Sequence, residues 1–197
     1  MVVQGGNHGN NVALQNGVHV RGKAAVRSAL ALAMLVAIAI LAGSASASTR
    51  SVTSLQALNR KVLASVNRLR ASYGLARLRE SAQLDRSALR HSLEMGRLGY
   101  FAHSSADGMQ FWQRIRHFYP AHGYSYWAAG ENLAWSSPSM SSGGAMKLWI
   151  SSPPHRANLL SRQWHQIGIS AVSVARAPGV YGGRRVTIIT ADFGVRH

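Results

Sequence analysis

Two histidines and one glutamate stand in three short segments of this 197-residue chain. His103 lies in residues 101–108 (FAHSSADG), Glu131 in residues 129–135 (AGENLAW) and His155 in residues 152–160 (SPPHRANLL). Neutral imidazoles and a carboxylate are the groups that hold a divalent metal or move protons at neutral pH. Together they would leave an open coordination position on Zn²⁺ or a similar ion, able to polarise a carbonyl or activate water. The same three groups could instead form a hydrogen-bonded network that ties three loops together, with Glu131 orienting an imidazole. Spacing does not choose between the two, because the groups are far apart in the chain and no histidine pair sits one helical turn apart.

Several neighbours bear on that choice. Asn132 and Asn158 each adjoin a segment of the trio and have the chemistry of loop-fixing hydrogen bonders. Asp107, four residues after His103, could add a second carboxylate or could only shape the Asp-Gly turn. Between Gly108 and Gly130 there is no Asp or Glu at all. Ser104 adjoins His103, but no oxyanion element accompanies it, which argues against serine hydrolysis. His91 falls on an apolar helix face and reads as a satisfied core residue. Tyr124, Tyr126 and Trp127 sit in a loop and could line a ligand groove.

The elements that must position these groups follow from periodicity. Leu55, Leu58, Val62, Val66, Leu69 and Tyr73 recur at steps of three and four, which predicts a helix closed by Gly74. Ser81 caps a second helix, with Leu84, Ala88, His91, Met95 and Leu98 as its buried stripe and Gly99 as its end. Gln110 to Phe118 predicts a short third helix anchored by Phe111, Trp112, Ile115 and Phe118. Residues 131–135 fit a strand or an extended loop. Residues 139–150 fit a helix weakened by Gly143 and Gly144, anchored by Met146, Trp149 and Ile150 and broken by Pro153-Pro154. After Leu160 the period changes to two, with strands predicted over 167–174 and 186–193. Helices first and antiparallel strands last predict an α+β layer structure.

Composition bounds the rest. With 47% hydrophobic residues the chain can build one full core, and at this length not two. Cysteine is absent, which excludes disulfides and thiol chemistry. Lysine and arginine outnumber acidic residues 22 to 6, for a net charge of +16. The arginines are dispersed, with no run of five or six like charges and no groove-reading motif, so nucleic acid is not the indicated partner. A diffuse positive field still attracts anionic lipid headgroups and acidic wall polymers.

Residues 1–47 read as a leader. A basic stretch from Arg21 to Arg27 precedes an unbroken apolar run, Leu30 to Ala42, and Ala45-Ser46-Ala47 fits the small-residue cleavage rule. This predicts a Sec-type signal peptide cleaved after Ala47 and a secreted domain over 48–197. Thirteen apolar residues fall short of the roughly twenty that span a bilayer, and membrane attachment would require an uncleaved leader.

Taken in order, the segments resemble the CAP superfamily, also called SCP-like or PR-1-like domains, and most of all its bacterial secreted branch. The resemblance runs through Leu84, His91, Met95, Gly99, Phe101, His103, Asp107 and Gly108. It continues through Gly130-Glu131-Asn132 and His155-Arg156 with Asn158 and Leu160, and closes on Ala191-Asp192-Phe193-Gly194. It covers residues 59–194 and implies an α-β-α sandwich with a small antiparallel sheet between helices. It also implies a cleft tetrad of two histidines and two acidic residues, of which His103, His155 and Glu131 carry over, while the second acid does not. The function expected is a secreted binding module whose cleft holds a divalent cation and whose surface engages lipid, wall polymer or protein. The alternative is a secreted metal-assisted or acid/base hydrolase of wall, ester or peptide substrates, with His103, Glu131 and His155 as its catalytic candidates.

Overall fold

Gly168 decides how closely the central helix can approach the sheet. A Cβ there would lie 2.1 Å from the carbonyl carbon of Leu84 and 2.2 Å from the nitrogen of Asp85. Only a residue without a side chain lets the helix backbone rest directly on the strand. In the computed structural model, which describes residues 2–3 and 51–197, that helix is α2 (Ala82–Leu98). Its neighbours are α1 (Gln56–Ser72), α3 (Phe111–Phe118), α4 (Ser142–Ser151) and α5 (Pro153–Leu160). The strands are β1 (Val2–Val3), β2 (Val52–Ser54), β3 (Arg79–Glu80), β4 (Trp127–Ser136), β5 (Gln166–Val174) and β6 (Val186–Arg196). The leader assigned to residues 1–47 lies outside the described residues except for Val2–Val3.

Strand order is β1-β4-β6-β5-β2, with β3 added parallel to the start of β5. The long strands β4, β6 and β5 are antiparallel neighbours. Alternation sends their side chains to two faces. Ile167, Ile169, Ala171, Ile189, Ala191 and Phe193 pack with Val62 and Val66 of α1, Trp149 of α4 and Leu159 of α5. On the other face Val172, Val174, Val186 and Ile188 pack with Met95 of α2. Three layers result, α-β-α, and among the described residues every buried core residue falls between Val62 and Val195. Residues 51–197 carry the buried clusters on both faces of the sheet. Among the described residues no helix is long and apolar enough to cross a membrane.

Side chains close what the short strands leave open on β5. Asn59 Oδ1 accepts from the Ala171 amide at 2.7 Å and Asp85 Oδ1 from the Ile169 amide at 2.8 Å, so the edge between β2 and β3 has no free donors there. Arg70 is 1% exposed and ties α1 to the end of α5. Its Nη1 donates to the carbonyls of Leu159 (2.9 Å) and Ser161 (2.8 Å), and its Nε to that of Ala76 (2.9 Å). The Leu159 and Ser161 carbonyls are those that the C-terminus of α5 leaves without a helical partner, and Ala76 lies in the link after α1.

Several sequence expectations change. Tyr73, placed on the apolar face of α1, is 50% exposed, because the helix ends at Ser72 before that residue turns to the core. Leu98, placed in the buried stripe of α2, is 60% exposed, because Gly99 turns left-handed (φ 77°) and ends the helix before its last residue reaches the core. Ile150, placed among the anchors of α4, is 40% exposed. Pro153-Pro154 ends α4 and also begins α5, since proline at the first helical positions sacrifices no hydrogen bond.

Candidate functional site

Residue Glu131 sits in the middle of β4, opposite Asp192 of β6 and, one strand further, Gly168 of β5. Its side chain points to the α2–α3 face and is wholly buried. A lone carboxylate there would carry a desolvation penalty of several kcal/mol. Arg114 of α3, 1% exposed, answers it: its Nη2 donates to Glu131 Oε2 in a buried ion pair. The same guanidinium fixes the loop ahead of α3, with Nη1 donating to the His103 carbonyl and to Ser105 Oγ, both at 3.1 Å.

The other carboxylate oxygen faces His103. Glu131 Oε1 lies 2.7 Å from His103 Nδ1. A carboxylate held ionised by an arginine can only accept, so the ring hydrogen is assigned to Nδ1 and the lone pair to Nε2. His103 is 35% exposed at the side chain, so its ring reaches the surface while Glu131 does not. His155, near the start of α5, presents a half-buried ring whose centroid lies 6.3 Å from that of His103. Asn132 and Asn158 hold this arrangement from behind. Asn132 Nδ2 donates to the His155 carbonyl at 3.0 Å, and Asn158 Nδ2 donates to the Glu131 carbonyl at 3.1 Å and to Asn132 Oδ1 at 2.9 Å. The structure thus brings together His103, Glu131, His155, Asn132 and Asn158. Asp107 is exposed, and its Oδ1 accepts from the Met109 amide at 2.9 Å, which is the turn role.

Two partners of Glu131 escape sequence reading. Arg114 hides among surface arginines, and its only signal is helical phase: it stands three residues after Phe111 and four before Phe118, on the apolar side of α3. Asp192 is the single acidic residue in a strand buried along nearly its whole length. It is wholly buried, and neither carboxyl oxygen meets hydrogen-bond geometry. One guanidinium thus pairs with Glu131 and acts on Asp192 only through space.

Burial sets the charge states. It pushes Glu131 up to about 7 against the opposing pull of Arg114. Burial and the neighbouring Glu131 charge raise Asp192 well above the usual carboxylate range. One positive charge balances one negative charge, so Glu131, which touches Arg114, is the ionised member and Asp192 keeps its proton. Burial, reinforced by Arg114, lowers His103 to about 4. It lowers His155 as well, with the His103 charge adding to the effect. Both rings are therefore neutral at pH 7. His91, also buried behind Glu131, is lowered to about 3 by burial and by Arg114, and its Nε2 donates to the Ala102 carbonyl at 2.8 Å. The three aromatic groups expected in a loop are used elsewhere, and Trp127 opens strand β4 instead. Tyr124 lies under Arg196 (4.6 Å), Tyr126 stacks on His197 (4.9 Å), and Trp127 Nε1 donates to the Tyr119 carbonyl.

Comparison with known proteins meets this geometry. The sequence profile of CAP, the cysteine-rich secretory protein family, matches residues 63–186, more than half of the chain. The chain belongs to the CAP family. It does so without a single cysteine. The uncharacterized protein YkwD of Bacillus subtilis (strain 168) is 31% identical over 124 residues, which are 63% of this chain and 46% of YkwD. The chain thus spans less than half of that curated relative. Its structure is similar to that of an extracellular protein containing a SCP domain from Bacillus anthracis str. Ames, with TM-score 0.54 and 25% identity over 70% of this chain and 40% of that one. It is also similar to an outer surface protein of Borrelia burgdorferi, with TM-score 0.60 and 17% identity over 75% of this chain and all of that one, a likeness of fold alone.

Chemically, a carboxylate-oriented neutral imidazole offers a lone pair to the cleft, and a second neutral imidazole stands beside it. Both oxygens of Glu131 are engaged within the protein. Among the described residues no group of three metal-ligating side chains converges on a common point.

Proposed function

We propose that this CAP domain acts outside the cytoplasmic membrane as a binding module, and that its cleft works through the two imidazoles rather than through Glu131. The observation that carries the reading is the complete burial of Glu131 between Arg114 and His103. A carboxylate cut off from solvent cannot take a proton from an attacking water. It can hold His103 in one tautomer and one orientation, as carboxylates behind metal-bound histidines do. A divalent cation in the cleft would be held by Nε2 of His103 and a ring nitrogen of His155, with Glu131 behind the first. Two ligands suit weak, exchangeable binding in which water or a partner supplies the remaining positions. Export is supported by the leader motif and by relatives described as extracellular or outer surface proteins. The excess of basic residues favours an anionic partner, lipid headgroup or wall polymer.

A second reading has one observation in its favour: a neutral, carboxylate-oriented imidazole is competent as a general base. Zinc titration and activity assays separate the two. The module reading predicts that Zn²⁺ stabilises the protein by about 2–3 kcal/mol at a hundredfold excess over Kd. That gain should vanish in His103→Ala and in His155→Ala, with no turnover of wall fragments or generic esters. Turnover that disappears in His103→Ala while the fold is retained would establish the hydrolase instead.

A further inference from the structure

We propose that the outward face of α2, together with the end of α3, is a docking surface for an anionic phospholipid bilayer. The inference rests on the proposed function, an exported module with an anionic partner, and selects lipid from the anionic partners that reading allows.

The face is built as two interleaved rows. Arg86, Arg90 and Arg97 are exposed along α2 and rim a groove of about 530 Å³. Its floor is Leu89, Leu93 and Leu98, completed by Phe118 from α3. The row from Arg86 to Arg97 is about 16 Å long at the helical rise. None of the three arginines has a carboxylate within 4.0 Å among the described residues. Arg86 and Arg90, one turn apart, repel each other and weaken the helix unless an anion sits between them.

Few acidic groups offset the charge of this face. Of its six, Glu131 and Asp192 are fully buried, and Asp85 and Asp107 accept backbone amides. Glu80, exposed on β3, lies near the Arg86 end of the face but forms no ion pair with it. Glu94, the one acid at the groove, is already engaged: Oε2 accepts from Tyr100 OH at 2.6 Å and Oε1 from the Ala106 amide at 3.4 Å. The charge left over is a row of cations beside leucines, one of them 60% exposed. Phosphates along a wall polymer would satisfy the arginines but leave the apolar floor in water. A bilayer satisfies both, with phosphates at the rim and acyl chains against Leu98 and Phe118, while the arginine stems lie along the boundary.

The test uses residues 48–197, which carry the buried clusters on both faces of the sheet and leave out the apolar run of the leader. Binding is measured at 0.15 M salt to phosphatidylglycerol vesicles, to phosphatidylcholine vesicles and to soluble polyphosphate. Three exposed arginines on the opposite layer, Arg60, Arg68 and Arg77, provide a variant of equal charge. Affinity for phosphatidylglycerol vesicles is expected to fall on the order of a hundredfold in R86Q/R90Q/R97Q. It should fall less than about tenfold in R60Q/R68Q/R77Q, because screening confines the effect to charges near the surface. Leu98→Ser should weaken vesicle binding and leave polyphosphate binding unchanged. Equal losses in the two triple variants would overturn the docking face and leave the anionic-partner reading standing. Binding to polyphosphate but not to vesicles would do the same in favour of a polymer. Binding to neither would overturn both.

Discussion

Replacing Arg114 with methionine is expected to destabilise the domain by about 3–5 kcal/mol, the cost of leaving a buried charge without its partner. The expectation follows from what surrounds Glu131. The carboxylate is wholly buried, a second carboxyl, Asp192, is buried beside it, and Arg114 is the only cationic side chain paired with either among the described residues. Removing the guanidinium also strips donors from the His103 carbonyl and Ser105, so the loop that carries His103 should loosen. Urea unfolding at pH 8, above the Glu131 value of about 7, measures the loss. Adding Glu131→Gln to Arg114→Met removes the uncompensated charge and should recover part of it, giving a coupling of about 1 kcal/mol or more in a double-mutant cycle. A loss below about 1 kcal/mol in the single variant would mean that Glu131 is not held as an anion.

Acid stability should depend strongly on His91. Its ring is wholly buried, and burial with Arg114 depresses its pKa to about 3, against an ordinary value of 6.5. Between those values the unfolded chain binds a proton that the native protein refuses. Native stability is therefore lost as pH falls through 6.5 and levels off only near 3, with a slope of about 1.4 kcal/mol per pH unit. Glu131 works in the opposite sense. Its folded pKa is raised to about 7 from 4.5, so the stability it contributes is present below 4.5 and is lost as pH rises towards 7. The two tendencies partly cancel in the native protein, and His91→Gln separates them. In that variant the fall in stability from pH 6.5 to pH 3 should be shallower by close to one proton's worth of slope. Parallel curves for the variant and the native protein would show that His91 titrates normally.

Much of the positioning was legible because it is local. The period of α1 and α2, the αL glycine at Gly99 and the two-residue period of β5 and β6 depend on neighbouring residues alone. Asn132 and Asn158 could be singled out because a polar amide beside each site segment has few other uses. The electrostatics could not be read in this way. A buried arginine and a solvated one are the same letter, and Arg114 differs from Arg116 only in the helical phase set by Phe111, Ile115 and Phe118. Asp192 is a harder case: its proximity to Glu131 exists only through the β4–β6 register, a pairing across some sixty residues. A lone acid in an otherwise apolar strand is nonetheless a signal, because burial on both faces leaves it no route to water. Leu98 shows the converse, where the apolar stripe runs one residue past the point at which the helix still faces the core.

The role of Glu131 as the group that orients His103, rather than as a base or a ligand, is tested most directly by the ring nitrogens of His103. ¹⁵N-edited NMR of the histidine side chains from pH 8 to pH 4 reads both tautomer and charge. The structure predicts a neutral His103 ring with its hydrogen on Nδ1 at pH 8, where Glu131 is ionised, and a ring that stays uncharged through pH 6.5 and titrates near pH 4. A His103 ring that titrates near pH 6.5 with its hydrogen on Nε2 would contradict the account.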